Sequence, residues 1–238
     1  MGGVSRTSPG EVLRSLAFYA VFYGGSVPIV TVAIAQLLVG ERPFIAAAEA
    51  WSGWHRWCAR HILRIAVRVE GALPPPDALV VLKHESFFEA IDLPTLLDRP
   101  AVFTKAELMR IPGWGLAARR FGLISVERDQ GAKALRAMVT AARELADSGR
   151  PLALFPEGTR VPHGAEPPLQ AGFAGLYKLL GRAVVPVAVN SGELYHRRWK
   201  RRGTVTYRFG EPIPAGLPRD EAEARVRAAI NALNPGTT

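Results

Sequence analysis

The chain has 238 residues, enough for one ordinary domain with a sizeable core and a possible extension. Its formal net charge is +9 and its sequence pI is about 10.3, so its surface should attract anionic membranes, nucleic acid or acidic substrates. A nucleic-acid partner is disfavoured, because the sequence contains no Cys/His finger, aromatic RNA-binding strand or recognisable helix-turn-helix. A single cysteine excludes an internal disulfide, and no Cys/His cluster has metal-ligand spacing.

The first long apolar segment, residues 16–39, contains no charged residue. As a helix rising ~1.5 Å per residue it would be about 36 Å long, enough to cross a hydrocarbon core of ~30 Å. A cleaved signal peptide is disfavoured, because the run is too long and no small-residue cleavage site follows it. Gly24, Gly25 and Pro28 leave two arrangements open, a continuous helix and a bent or re-entrant one.

A second helix is predicted over residues 42–65, where apolar and Trp residues recur at spacings of three and four. Arg56, Arg60 and Arg64 form a stripe on another face. The combination is typical of a helix in the membrane interface, although an amphipathic helix packed on the domain would show it too. The sequence therefore predicts a membrane-associated two-helix segment over residues 1–65 and an α/β domain over residues 66–238.

In the second segment, short apolar runs alternate with helical patterns. The predicted strands cover residues 78–83, 101–104, 123–126, 152–155, 184–189 and 204–209. The predicted helices cover residues 87–97, 113–120, 131–148, 172–181 and 218–233. This alternation is typical of an α/β fold with a central, mostly buried β-sheet flanked by helices.

His84 follows a predicted buried strand, at the kind of sheet edge where α/β proteins commonly bind ligands. Glu89 lies five residues later and can fold back on a turn to hold one tautomer of the imidazole, so that His84 acts as a general base. Asp92 is a second candidate partner, but it lies about two helical turns from His84. From spacing alone, an alternative stays open in which His84 caps the following helix and Glu89 is a surface acid.

The second candidate motif, Phe-Pro-Glu-Gly-Thr-Arg at residues 155–160, also follows a predicted buried strand. Arg160 offers a planar fork that matches a phosphate, and Gly158 lets backbone N–H groups approach an anion. We expect Glu157 to contact a substrate hydroxyl or to position Arg160. A strand-to-loop turn with a surface Glu/Arg pair would account for the same residues.

These two motifs, in this order, resemble those of the glycerolipid acyltransferase family that includes the 1-acyl-glycerol-3-phosphate acyltransferases. That family usually has Asp where this chain has Glu89. Residues 105–128 and 185–187 match its remaining motifs in order. The resemblance implies that His84 is the base and that Glu89 orients it. It also implies a set of phosphate-binding residues: Lys105, Arg128, Glu157, Gly158, Thr159 and Arg160.

The resemblance further implies an enzyme of phospholipid synthesis that transfers a fatty acyl group from acyl-CoA or acyl-carrier protein to lysophosphatidic acid, giving phosphatidic acid. No metal or cofactor beyond that acyl donor is implied. We expect membrane lipid as a partner, and a location at the bacterial inner membrane with the catalytic domain on its cytoplasmic face. Three alternatives stay open: another lysolipid acceptor (a lysophospholipid or a lyso-ornithine lipid), a thioesterase or lipid hydrolase, and a non-catalytic lipid-binding adaptor.

Overall fold

The computed structural model describes residues 7–76, 78–111, 113–127 and 131–236, without the side chains of residues 132 and 134. Within these ranges the chain forms nine α-helices and one seven-stranded sheet. The helices are α1 (Pro9–Gln36), α2 (Glu41–Cys58), α3 (Phe87–Leu96), α4 (Ala106–Met109), α5 (Trp114–Phe121), α6 (Gly131–Asp147), α7 (Ala171–Leu180), α8 (Gly192–Tyr195) and α9 (Arg219–Ile230). The strands are β1 (Ile65–Glu70), β2 (Leu79–Leu82), β3 (Ala101–Lys105), β4 (Ile124–Val126), β5 (Leu152–Leu154), β6 (Val184–Val189) and β7 (Gly203–Phe209).

The sheet has the strand order β1-β7-β6-β2-β5-β3-β4, with β2 at its centre. Strands β2 to β6 run parallel, β7 runs antiparallel to β6, and β1 is parallel to β7. The carboxyl ends of β2, β3, β4, β5 and β6 therefore meet at one edge of the sheet. This architecture confirms the predicted α/β class.

Helices cover both faces of the sheet, and β2 shows how its sequence fits between them. Val80 and Leu82 pack on one face, in a cluster with residues of α1, α2 and α3. Leu79 and Val81 pack on the other face with residues of α6, α7 and α9. A strand buried on both faces needs a continuous apolar run rather than an alternating one, as β2 has. The result is a three-layer core with β2 in its middle.

Helix α1 runs unbroken through Gly24, Gly25 and Pro28, which decides between the two arrangements left open by the sequence. Gly25 allows α2 to approach closely, because a Cβ built there would lie 2.6 Å from the Trp54 ring. Only a narrow face of α1 is buried against the domain, by Ser15, Phe18 and Phe22, and most of its other apolar side chains are exposed. Among the described residues, α1 is the one helix long and apolar enough, by length and composition, to cross a membrane.

The predicted second helix differs from the structure at its end. Helix α2 stops at Cys58, a π-helical turn covers Ala59–Leu63, and β1 begins at Ile65 after Arg64 adopts a left-handed backbone with φ 62°. Strand β1 went unpredicted, because its six residues follow a strong helical pattern without a Gly or Pro between them. The division of the chain at residue 65 stays a prediction.

The prediction that the arginine stripe faces the membrane interface is wrong for Arg56. The Arg56 guanidinium donates two hydrogen bonds to the buried Asp92 carboxylate, at 2.7 and 2.6 Å. This pair joins α2 to α3 and turns Arg56 towards the domain. It also engages Asp92, so the second candidate partner of His84 has a different role.

Candidate active site

The candidate residues follow the carboxyl ends of parallel strands, as the sequence predicted. His84 lies just beyond β2, and the 155–160 loop follows β5, which pairs directly with β2. Lys105 ends β3, one strand further along the same edge, with an exposed side chain. Arg128 lies outside the described residues. The topology thus brings His84 and the loop side by side.

His84 and Glu89 are in direct contact. The His84 Nδ1 atom lies 3.0 Å from Glu89 Oε1, and the Glu89 side chain is fully buried. An ionised carboxylate can only accept hydrogen bonds, so Nδ1 carries the proton and Nε2 is left with its lone pair. The imidazole stacks on the Phe155 ring with centroids 4.2 Å apart, and 16% of the His84 side chain is exposed. The arrangement provides an oriented imidazole base that a substrate can reach.

Glu89 also closes the first turn of α3, and this fixes its position. Ser86 is the N-cap of α3, and Glu89 completes a capping box three residues later. Glu89 Oε1 accepts from the backbone amides of Glu85 and Ser86, both at 2.6 Å, while Oε2 accepts from the Ser191 hydroxyl at 2.6 Å. Burial raises the pKa of Glu89, but its hydrogen bond and charge interaction with His84, together with the hydrogen bonds from Ser191 and Ser86, outweigh burial and hold that pKa below its ordinary value. Glu89 is therefore ionised at neutral pH.

Glu157 lies inside the protein, not at the mouth of the site. Its Oε2 accepts the His84 backbone N–H at 3.0 Å, and its Oε1 lies 3.0 Å from the buried Lys83 ammonium. Burial raises the pKa of Glu157, and its contacts with His84 and Lys83 oppose that rise. These contacts tie the 155–160 loop to the backbone of His84. They do not support the expected role of Glu157 in positioning Arg160.

Arg160 and Thr159, in contrast, are exposed at the end of the loop. The Arg160 guanidinium lies over the Phe87 ring, 4.0 Å from its centroid. Gly158 has a φ of 68°, a left-handed conformation that favours glycine and that turns the loop. The loop then continues beside β2, where the Val161 N–H donates to the His84 carbonyl at 2.8 Å. A cation therefore stands on the exposed side of the His84 turn.

A second histidine–carboxylate pair, His163 and Glu85, adjoins the first and was not predicted from the sequence. His163 Nδ1 lies 2.9 Å from the buried Glu85 carboxylate, which also accepts the Gly192 N–H at 2.8 Å. Burial raises the pKa of Glu85, while its hydrogen bonds from Gly192 and His163 lower it, and the rise prevails. Spacing could not reveal this pair, because 78 residues separate its members. The Ser-x-x-Glu capping box at Ser86, in contrast, was visible in the sequence.

Comparison with known proteins places this chain among acyltransferases. A family model described as "Acyltransferase" matches residues 64–190, more than half of the chain. The chain is 26% identical over 228 residues to a 1-acyl-sn-glycerol-3-phosphate acyltransferase of Pseudomonas aeruginosa, covering 94% of this chain and 87% of the relative. It is 29% identical over 182 residues to the human 1-acyl-sn-glycerol-3-phosphate acyltransferase alpha, covering 72% and 64%. Its fold is similar to the crystal structure of the LPA acyltransferase PlsC from Thermotoga maritima, with a TM-score of 0.67, 22% identity and 93% of both chains covered.

Proposed function

This chain belongs to the Acyltransferase family, and from that premise we propose that it transfers a fatty acyl group to the free glycerol hydroxyl of lysophosphatidic acid, giving phosphatidic acid. The observation that carries the proposal is the His84–Glu89 pair, with its buried, ionised carboxylate on Nδ1 and its free Nε2. The printed names of the relatives support the choice of acceptor, since both the bacterial and the human relative are acyltransferases of 1-acyl-glycerol-3-phosphate.

In the proposed reaction, His84 Nε2 removes the proton of the acceptor hydroxyl while that oxygen attacks the carbonyl carbon of an acyl thioester. Glu89 holds the ring through Nδ1 and balances the positive charge that forms on it. The tetrahedral intermediate then collapses, the C–S bond breaks, and the departing thiolate takes the proton from Nε2. An ester and a free thiol result, and His84 returns to its neutral form. No covalent acyl-enzyme is required.

The acceptor phosphate requires cations near the base. We assign this role first to Arg160, because its planar guanidinium can bind two phosphate oxygens and lies exposed beside the turn that holds His84. Lys105, exposed at the end of β3 on the same edge, is the second candidate. Arg128, outside the described residues, is the third, and Gly158 and Thr159 shape the loop that carries Arg160. Fixing the phosphate would hold the hydroxyl near Nε2 and lower the entropic part of the barrier.

The acyl donor is acyl-CoA or acyl-carrier protein, both anionic and suited to a chain with a net charge of +9. We place the enzyme at the bacterial inner membrane with the catalytic edge on the cytoplasmic side, where both thioesters occur. The exposed apolar face of α1 supports membrane attachment. Attachment there would let the acyl chains of acceptor and product stay in the bilayer during the reaction.

A donor and acceptor panel with purified protein tests the proposal. We expect acyl-CoA or acyl-carrier protein to acylate lysophosphatidic acid faster than lysophosphatidylcholine, lysophosphatidylglycerol or a lyso-ornithine lipid, with mass spectrometry identifying phosphatidic acid. Preference for another lysolipid would support acyl transfer but show that the proposed acceptor is wrong. Free fatty acid without diacyl product would favour a thioesterase or lipid hydrolase. Lipid binding without turnover of any donor would favour an adaptor.

A further inference from the structure

Ser191 lies at the carboxyl end of β6, the strand that flanks β2 on the side opposite β5. Its side chain is fully buried, although it follows a strand in a loop. Its hydroxyl lies 2.6 Å from Glu89 Oε2 and 2.7 Å from the Ser86 hydroxyl. The His84–Glu89 pair is thus contacted from a third strand end, by a residue that no sequence motif singled out.

The donors and acceptors around these hydroxyls fit one directed chain. The Phe88 N–H donates to the Ser86 oxygen at 3.0 Å, which leaves the single Ser86 proton to donate onwards. Ser86 Oγ is 2.7 Å from Ser191 Oγ but 3.0 Å from Glu89 Oε2. The two shortest contacts are each satisfied by one proton when Ser86 donates to Ser191 and Ser191 donates to Glu89 at 2.6 Å. Ser191 is then the last donor of a chain that ends on the carboxylate.

The two oxygens of Glu89 consequently have different partners. Oε1 accepts three N–H groups, from His84 and from the amides of Glu85 and Ser86. Oε2 accepts from the Ser191 hydroxyl at 2.6 Å, and the Ser86 oxygen lies further away, at 3.0 Å. Gly192, the next residue, donates its N–H to Glu85, so the same turn holds both carboxylates of the His84 segment. The turn packs tightly, since a Cβ at Gly192 would lie 3.0 Å from Glu85 Oε2.

From this geometry we propose that Ser191 is a positioning residue of the active site. Its hydroxyl fixes Glu89 Oε2 and withdraws negative charge from the carboxylate. The remaining charge determines how strongly Glu89 attracts the imidazole proton. Ser191 touches no substrate and acts through Glu89 on His84. The proposal rests on the proposed role of His84 and Glu89 in acyl transfer.

Ser191→Ala tests the proposal through the pH dependence of kcat/KM. Without this donor the carboxylate holds the protonated imidazole more strongly, so His84 keeps its proton to higher pH. We expect the acid limb of the profile to move up by about 0.5 pH unit or more, and kcat/KM at neutral pH to fall about 10-fold. The other titratable groups around the pair are unchanged in the variant: Glu85, Tyr195 and Tyr207 interact with Glu89, and Glu157, paired with Lys83, interacts with His84.

Ser52→Ala is the matched control. The Ser52 hydroxyl is equally buried and donates to the Ile91 carbonyl of α3 at 2.7 Å, so it bonds to the helix backbone and not to the Glu89 carboxylate. Its loss should lower thermal stability without moving the acid limb. If Ser191→Ala does not fold, Ser191→Cys keeps the shape of the side chain with a slightly larger atom, is a weak donor, and should show the same shift.

An unmoved limb in the folded Ser191 variant, or an equal shift in Ser52→Ala, would overturn the proposal. His84→Ala, assayed in parallel, separates this failure from failure of the proposed function. Loss of activity in His84→Ala with no shift in Ser191→Ala would reject only the role of Ser191. Full activity in His84→Ala would reject the reaction scheme itself.

Discussion

At the scale of single residues, Glu89 both caps a helix and contacts His84. Its carboxylate closes the helix-capping box from position N3 and is also the hydrogen-bond acceptor of His84. The helix cap therefore sets the direction in which the imidazole points. This explains how a glutamate can stand where the family usually has aspartate: the cap brings its longer side chain back over the turn.

We predict that Glu89→Gln folds but loses turnover by on the order of 10²-fold, the lower end of what general-base catalysis contributes. The amide carbonyl can still accept the three N–H groups at Oε1, whereas the charge that stabilises the imidazolium is removed. Steady-state kinetics on the purified variant measures the effect, with Glu144→Gln on the exposed side of α6 as control. Activity within about 3-fold of the unaltered protein would mean that the charge of Glu89 is not used.

The His84–Glu89 contact was expected from the family resemblance, and it was possible on spacing because both residues lie in one short segment, within reach of a single turn. The sequence did not predict the contacts of Lys83 with Asn231, of His163 with Glu85 or of Ser191 with Glu89, which are 148, 78 and 102 residues apart. Such partners depend on which strands become neighbours, and a single sequence does not specify the strand order. The contact of Glu157 with Lys83 was not predictable for the same reason, since it follows from the pairing of β2 with β5.

His55 provides a pH-dependent contribution to stability. Burial, reinforced by the charges of Arg56 and Lys200, lowers its pKa from 6.5 to about 3. As the pH falls from 6.5 to about 3, the unfolded chain takes up a proton at His55 that the folded protein excludes. The contribution of His55 to the free energy of unfolding is therefore fully present above pH 6.5 and declines towards pH 3.

We predict that the thermal midpoint of His55→Gln changes less with pH than that of the unaltered protein between pH 6.5 and 4.5, above the range of ordinary carboxylates. Thermal unfolding in detergent at several pH values tests this. The comparison concerns the slope, because loss of the His55–Tyr195 hydrogen bond at 2.8 Å will lower the midpoint at every pH. Equal slopes would show that another group is responsible for the acid sensitivity.

At the scale of elements, the pairing of α1 with α2 depends on one glycine. The Trp54 ring lies against Gly25, and its indole N–H donates to the Phe22 carbonyl at 3.3 Å, while Trp51 donates to the Ser26 hydroxyl at 2.9 Å. The same indoles were read from the sequence as a membrane-interface stripe. In the structure they partly serve to join the two helices.

We predict that Gly25→Ala destabilises the protein by about 1–3 kcal/mol, because the new methyl group must displace the Trp54 ring. Gly24→Ala is the matched control, since nothing lies within 4 Å of a Cβ there. It should be neutral or slightly stabilising, as alanine favours helix over glycine by up to ~1 kcal/mol. Thermal unfolding of both variants in detergent measures the difference, and equal midpoints would contradict the packing argument.

The sequence predicted six of the seven strands of the sheet within one or two residues, because each is a short apolar run bounded by turn residues. Strand β1 was not predicted, because it directly follows a strong helical pattern. The helices α4 and α8 have four residues each, too few to show a helical periodicity of apolar residues. The antiparallel pairing of β6 with β7 was also not predictable, since strand direction follows from how the chain crosses the sheet.

At the scale of the whole molecule, the exposed apolar face of α1 and the net charge of +9 make two different contributions to membrane binding. Salt screens the contribution of charge, but it does not weaken the burial of apolar surface. We predict that the protein stays with the membrane pellet in a high-salt wash. Release of the unaltered protein by salt alone would mean that α1 is not embedded.

The face of α1 that carries this attachment can be tested directly. The double variant Val27→Lys/Val30→Lys places two charges on the exposed side of the helix and should shift the protein to the supernatant. Val69→Lys, an exposed valine on the edge strand β1, should leave it in the pellet. An equal distribution of the two variants would show that the exposed side of α1 does not contact lipid.

The most direct test of this account is the rate of phosphatidic acid formation by His84→Ala compared with the unaltered protein and with His196→Ala, an exposed histidine beyond α8. Purified proteins are given lysophosphatidic acid and a labelled acyl thioester, and the diacyl product is quantified. We predict that His84→Ala is folded and at least ~10²-fold slower, as expected for the loss of a general base, and that His196→Ala is unaffected. Near-normal formation of phosphatidic acid by His84→Ala would contradict the assignment of His84 as the base.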